Sequence, residues 1–468
     1  MLSMIEKVNN VVNNFIWGVP AMICIIGVGL FLSFRTHFIQ ICKFGYAMKV
    51  TFVRMFKKRE ASDGALTPFQ AVCTALAATV GTGNVAGVAG AIAIGGPGAV
   101  FWMWISALLG MCTKFSEVTL AVHYREKNAH GDWVGGPMYY IEMGLGKKWK
   151  PLAVLFAFFG CMVALLGSGT TTQMNAIISS VEAGFGISTY ITCAVITVLV
   201  AIITFGGLQS IAKAAEKIVP AMAVIYFVVT VIFLALNAGG LPGAISQVFT
   251  GAFSGTAAAG GFAGAGVMLA MRSGIARGLF SNESGLGSAP IVAAAAKTKW
   301  PAEQGLISMT GTFIDTIIIC TLTGLTIIVS GQWLGDTNGA ELTQNAFAVT
   351  YGGFAPILLT VSLALFAFTT ILGWNYYGER CWEYLFGTKS ILFYRVLFLV
   401  ILASAAFLKL ESIWALADIV NGLMAIPNLI ALLGLTGVIV AETKKYFEHL
   451  EIRDAKLKAY KARRIGKR

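Results

Sequence analysis

Residues Ala77–Gly90 read A-A-T-V-G-T-G-N-V-A-G-V-A-G and lie inside an apolar run extending from Leu66 to Ile94. Glycine costs a helix interior about 1 kcal/mol relative to alanine, so Gly81-Thr82-Gly83-Asn84 is where a helix should unwind. Free amides and carbonyls at membrane depth are tolerated only where protein buries them or they line a polar cavity. Unwinding here would present half-helix ends to a small charged solute and loose carbonyls to a cation. Gly83 and Gly87 also form a G-x-x-x-G pair, which suits an unbroken helix packed closely on a neighbour. The stretch alone leaves both readings open.

The surrounding chain is that of a membrane protein. Of 468 residues 57% are hydrophobic and 12% charged, about half the charged share of a soluble domain. Leu152–Gly167, Ile191–Phe205, Ile218–Leu236, Phe313–Val329 and Ile391–Phe407 are nearly free of charge, as helices crossing a bilayer must be. The eight cysteines are dispersed without a C-x-x-C pair, and the four histidines lack metal-ligand spacing. Neither a disulfide framework nor a metal centre is expected, and no cofactor. Glu6 and Lys7 precede an apolar run that begins near Phe15, so no cleavable leader is expected.

The net charge of +12 is read from its placement. Eleven spans are expected, at about Phe15–Phe34, Leu66–Ile94, Ala99–Val122, Pro151–Val181, Thr189–Phe205, Ile218–Leu236, Gly261–Ala296, Gly305–Ser330, Phe354–Tyr377, Ile391–Phe407 and Ile413–Val440. Basic residues crowd alternate connections: Arg35 to Arg59, Arg125 to Lys150, Lys213 and Lys217, Lys297 and Lys299, Arg380 to Arg395, and the tail from Lys444 to Arg468. The connections Asn237–Ala258 and Gly331–Tyr351 have none. By the positive-inside rule the N-terminus is outside and the C-terminus cytoplasmic, in a multi-pass plasma-membrane protein. Phe44, Tyr46, Met48, Phe52 and Phe56 alternate with lysines and arginines as in a basic helix lying on the bilayer. The basic tail is then a membrane-facing segment, and nucleic acid is not an expected partner.

Span seven carries a second break. Arg272–Pro290 reads R-S-G-I-A-R-G-L-F-S-N-E-S-G-L-G-S-A-P, with glycines and a proline around Ser281-Asn282-Glu283-Ser284. Ionisable groups at that depth default to functional or internally paired positions, and Glu283 paired with Arg272 or Arg277 is the structural alternative. Spans two and seven are five apart, so spans two to six and seven to eleven would be repeats of opposite orientation, each starting with a broken helix. Such pairing marks a secondary transporter with its site at the midplane. In span nine Phe366, Thr369 and Thr370 fall on one helix face, and oxygen-only ligands suit a hard alkali cation. The threonines could equally bond back to carbonyls one turn earlier.

G-P-G-A-V-F-W-M-W-I-S-A-L-L-G at Gly96–Gly110 and G-L-F-S-N-E-S-G-L-G-S-A-P at Gly278–Pro290 resemble two signature blocks of the sodium:alanine (alanine or glycine:cation) symporter family, within the amino acid–polyamine–organocation superfamily. The resemblance runs along essentially the whole chain. It implies an all-α, leucine-transporter-like fold of about eleven helices, a 5+5 inverted repeat with an extra N-terminal helix. The divisions would be 1–64 for that helix and the basic interfacial helix, 65–240 and 241–443 for the repeats, and 444–468 for the tail. It implies sodium-driven uptake of alanine or glycine by a carrier working as a monomer.

Carried onto this sequence, the resemblance gives Thr82 and Gly83 as amide donors to the substrate carboxylate, with Asn84 and Thr79 at a second cation position. Ala77 and Val80 carbonyls with Phe366, Thr369 and Thr370 would hold the main sodium ion. Phe280, Ser281 and Asn282 would receive the amine and side chain. Gln173 and Trp374, chosen by position, would close the pocket. Asp315 either completes a second ion site or is a paired acid. A proton-coupled carrier or a channel could share the broken helices. An enzyme is not expected: Gly81-x-Gly83 is followed by Gly87, which fails the dinucleotide spacing, and no nucleophile constellation occurs.

Overall fold

The computed structural model describes residues 19–55, 66–167, 169–254, 263–407 and 410–465. These are almost entirely helical. Six helices are long and apolar enough to cross a membrane, two further bent pairs qualify as one span each, and Met22–Arg35 and Thr189–Phe205 are shorter apolar helices. Gly98–His123 is the most enclosed, its residues from Gly110 to Val122 all buried, so the bundle is built around it.

The first glycine cluster does unwind. Thr67 caps the helix Pro68–Thr79 through a reciprocal pair, Gln70 N–H to Thr67 Oγ1 at 3.1 Å and Thr67 N–H to Gln70 Oε1 at 3.2 Å. That helix stops at Thr79. A single 3-10 turn, Thr82–Asn84, leads to a second helix, Ala86–Gly95, and the two halves meet at 61°. A Cβ on Gly83 would come within 3.2 Å of Phe280 and Ser281, whereas one on Gly87 would meet nothing within 4 Å. The two glycines therefore do not form a common packing face, and the close-packed reading of G-x-x-x-G fails.

The second cluster breaks as well, at Asn282-Glu283 within the stretch expected. Helix Ala263–Asn282 stops, and Glu283, Gly285 and Gly287 take φ of 56°, 92° and 81° before a five-residue helix, Ala289–Ala293. Three left-handed residues in five end any helix, and only glycine adopts that region freely. The start of the first broken helix and the end of the second are joined: Leu66 N–H donates to Ala295 O (2.9 Å) and Lys297 N–H to Leu66 O (2.8 Å). Arg125 holds the same end by donating to the carbonyls of Ala294, Ala296 and Thr298.

Elsewhere the helices depart from the expected spans. The fourth is two helices, Lys150–Leu166 and Thr171–Phe185, interrupted at the glycines around 167–169. The connection Asn237–Ala258 contains a helix, Leu241–Ser254, and Gly331–Tyr351 contains Gly339–Tyr351. Span eight runs Pro301–Ser330 with a π-helical middle, Phe313–Cys320, that holds Asp315. Span eleven ends at Gly434, not Val440, and a 62° bend starts the long basic helix Thr436–Ile465. The rings of Phe101 and Trp102 lie 5.0 Å and 6.1 Å from Phe253, packing Leu241–Ser254 against the central helix. The helix Phe44–Met55 is tied to the tail, Tyr46 OH lying 2.9 Å from Tyr446 OH. The start of span one and the basic cluster Lys57–Arg59 lie outside the described residues.

Candidate substrate and sodium site

The first break frees the groups that a carrier needs. Gly81 N–H, which in a continuous helix would bond to Ala77 O, donates instead to Asn84 Oδ1 at 2.9 Å. Ala77 O is thereby released, and Thr370 Oγ1 reaches it at 3.2 Å while also donating to Phe366 O at 3.0 Å. Two carbonyls and a hydroxyl converge, uncharged and oxygen-only, which fits an alkali cation. A Cβ on Gly81 would lie 2.6 Å from Thr370 Oγ1, so this approach requires glycine. Val80 is the extended residue that ends the half-helix. Thr369 is not brought to this cluster: its hydroxyl bonds back to Leu365 and Phe366 carbonyls and touches Met222 Sδ at 3.5 Å.

Beside these oxygens lies a cavity of about 10 Å³, room for about one water. Its walls are Ala78, Thr79, Gly81, Thr82, Gly83, Gln173, Phe280, Glu283, Thr370 and Trp374. Six of the eight substrate residues expected from sequence are thus within one structure feature or its walls' immediate chain: Thr82, Gly83, Gln173, Phe280 and Trp374 line it, and Asn84 closes the turn behind it. Thr82 Oγ1 is buried without a hydrogen-bond partner among the described residues. The turn leaves Thr82 and Gly83 N–H without a helical acceptor, as at any helix start. A carboxylate fits this set of donors.

Ser281 and Asn282 turn away from that cavity. Ser281 Oγ donates to Asp315 Oδ2 (2.8 Å) and Asn282 Nδ2 to Thr316 Oγ1 (3.1 Å). Their place in the wall is taken by Glu283, whose Oε1 accepts from Trp374 Nε1 at 2.9 Å and whose Oε2 accepts from Ser288 at 2.5 Å. Glu283 therefore bonds to Trp374 and Ser288, and the expected arginine pairing is not what holds it; Arg277 lies 5.7 Å from the centroid of Phe280. Thr79 and Asn84 do not form a second cation position either. Thr79 bonds back to Ala75 and Leu76, and Asn84 Nδ2 donates to Asp315 Oδ1 at 2.7 Å.

Asp315 emerges as the tie between the two breaks, accepting from Asn84 on one and Ser281 on the other, with Thr316 adding a third donor at 2.8 Å. Sequence reasoning left its role open and missed Lys114, Glu117 and Asn428 altogether. Glu117 Oε1 accepts from Gly285 N–H (2.9 Å) and Asn428 Nδ2 (2.6 Å), and Tyr140 OH donates to Asn428 Oδ1. The readable signal was Lys114 and Glu117 one turn apart inside span three.

Trp374 gives a size prediction. Its Cβ would lie 2.6 Å from a Cβ placed on Gly169, so the indole is wedged against the interruption of span four. Trp374→Phe should open space beside Glu283 and raise the competition of larger neutral amino acids against alanine by about tenfold. Competition uptake in proteoliposomes reads this, and an unchanged ranking removes Trp374 from selectivity.

Comparison with known proteins gives the chemistry a context. The profile of the sodium:alanine symporter family matches residues 2–460. An uncharacterized transporter of Haemophilus influenzae is 51% identical over 450 residues, 96% of this chain and 97% of its own. The sodium/alanine symporter AgcS of Methanococcus maripaludis is 46% identical over 447 residues, 94% and 96% of the two chains. The probable sodium/glutamine symporter GlnT of Bacillus subtilis is 37% identical over 453 residues, 95% and 91%. Among solved structures, MhsT in complex with L-phenylalanine matches with a TM-score of 0.56 over 83% of this chain and 99% of that one, at 12% identity. That likeness is one of fold: an all-α, leucine-transporter-like membrane bundle.

Proposed function

Because this chain belongs to the sodium:alanine symporter family and is a secondary transporter, we propose that it couples inward movement of sodium to uptake of small neutral amino acids, alanine or glycine, by alternating access. The observation that carries this reading is the meeting of Ala77 O, Phe366 O and Thr370 Oγ1 beside a cavity walled by Thr82 and Gly83. Sodium binds the three oxygens, with the Val80 carbonyl as a fourth, and orders the first break. The amino-acid carboxylate then takes the N–H groups of Thr82 and Gly83 and the Thr82 hydroxyl. The ammonium group meets Glu283 and the Phe280 carbonyl. Gln173 and Trp374 bound the side chain; the one-water cavity widens to admit an amino acid, and these two walls select by excluding larger side chains.

Residues 65–240 and 241–443 act as the two repeats that rock about this site, in a carrier functional as a monomer with its C-terminus in the cytoplasm. The membrane potential favours each inward charge by about 2.3 kcal/mol per 100 mV. A proton-coupled carrier is the second reading, favoured by the buried carboxylates of Glu117, Glu283 and Asp315. Replacing external sodium by choline in proteoliposome uptake separates them. Alanine uptake should fall to background; uptake that persists without sodium and follows an imposed pH gradient overturns the sodium reading.

A further inference from the structure

Lys114 sits in the middle of the central helix Gly98–His123 and is 3% exposed. Its Nζ has no hydrogen-bond partner among the described residues. An ammonium buried at membrane depth costs several kcal/mol unless other charges compensate it. Glu117, Glu283 and Asp315 are the charges that act on it, one from its own helix, one from the second break and one from the π-helical middle of span eight. Each of those carboxylates is at work holding unwound backbone or its neighbours: Glu117 at Gly285, Glu283 at Trp374 and Ser288, Asp315 between Asn84 and Ser281.

Lys114 also lines a second cavity of about 20 Å³, with Thr79, Asn282, Ser308 and Thr312. Thr79 borders both this cavity and the substrate cavity, so the ammonium stands just behind the amino-acid pocket, between the two breaks. Of the two residues expected at a second ion position, Asn84 is meanwhile engaged through both side-chain atoms, its Oδ1 with Gly81 N–H and its Nδ2 with Asp315.

We propose that Lys114 is a built-in counter-ion that does the electrostatic work of a second coupling cation, so that one sodium ion accompanies each amino acid. This rests on the sodium-coupled reading above. With Lys114 removed, Glu117, Glu283 and Asp315 lose the buried cation that acts on all three, and the site must recruit one from solution before it can close.

The charge-to-alanine ratio of the reconstituted carrier tests this, read from the alanine gradient that exactly balances a set sodium gradient and membrane potential. The wild-type ratio should be one, and Lys114→Met should move it to two by adding a sodium ion. Lys114→Gln serves if the methionine variant does not fold. If a variant folds but does not transport, the steepness of its sodium-dependent thermal stabilisation in detergent is read instead, rising from one ion to two. A wild-type ratio of two, or a folded variant that keeps a ratio or steepness of one, overturns the proposal. Wild-type protein with no sodium-driven uptake at all would instead retire the sodium-coupled reading itself.

Discussion

Thr370→Val should abolish sodium-stimulated alanine uptake at ordinary sodium concentrations. Among the described residues the hydroxyl is the one side-chain oxygen that touches both Ala77 O and Phe366 O, at 3.2 Å and 3.0 Å. Valine keeps the shape and removes the hydroxyl that stands between the two carbonyls, leaving the proposed ion with carbonyl ligands only. A hydrogen-bond-like contact to a charged species contributes about 1.5–3 kcal/mol, roughly ten- to hundred-fold in sodium affinity. In the proposed mechanism sodium orders the break before substrate binds, so the same loss should appear in the alanine response. Thr369→Val is the control on geometry and should have the smaller effect, because that hydroxyl serves its own helix and Met222. Sodium titrations of uptake for both variants measure this. Equal losses would mean that both hydroxyls reach the ion, and an intact Thr370→Val response would remove the ion from this place.

How much of this was legible beforehand follows from what each feature depends on. Both breaks could be read because glycine clustering is a local, backbone property: Gly81 and Gly83 in one helix, Gly285 and Gly287 in the other. Loop charges were readable for the same reason, each lysine acting through its own hydration. Side-chain direction was not. Thr369 and Thr370 are adjacent on one helix and look alike in sequence, yet only the neighbour opposite, Ala77 or Met222, decides which faces the first break. Ser281 and Asn282 were assigned to substrate from their place in a motif, but Asp315 and Thr316 on a distant span draw them off. Helices Leu241–Ser254 and Gly339–Tyr351 escaped because they are short and lie in connections without basic residues. Lys114 and Glu117 stand out as charges inside span three, but the partners that give them a role, Gly285 and Asn428 among them, come from distant spans.

The Asp315 tie yields the other large effect, and it separates charge from hydrogen bonding. Asp315→Leu should stop uptake and lower the thermal midpoint in detergent. It strands Asn84 Nδ2 and the Ser281 hydroxyl, buried donors that now meet only Asp315 carboxylate oxygens and Cys320 Sγ apart from a longer contact to the Asp315 carbonyl. Each buried donor left unsatisfied costs about 1–3 kcal/mol, so the two breaks lose the bond that fixes their spacing. Asp315→Asn differs in kind. Its oxygen can still accept from Asn84, and its amide can donate to the Ser281 and Thr316 hydroxyls, which turn to accept. The fold should therefore survive in Asp315→Asn with a midpoint near wild type, while Asp315→Leu falls well below it. If the two variants melt together, the carboxylate is not acting as a hydrogen-bonded tie between the broken helices. The conformation that gathers Ala77, Phe366 and Thr370 would then have to be held by packing alone.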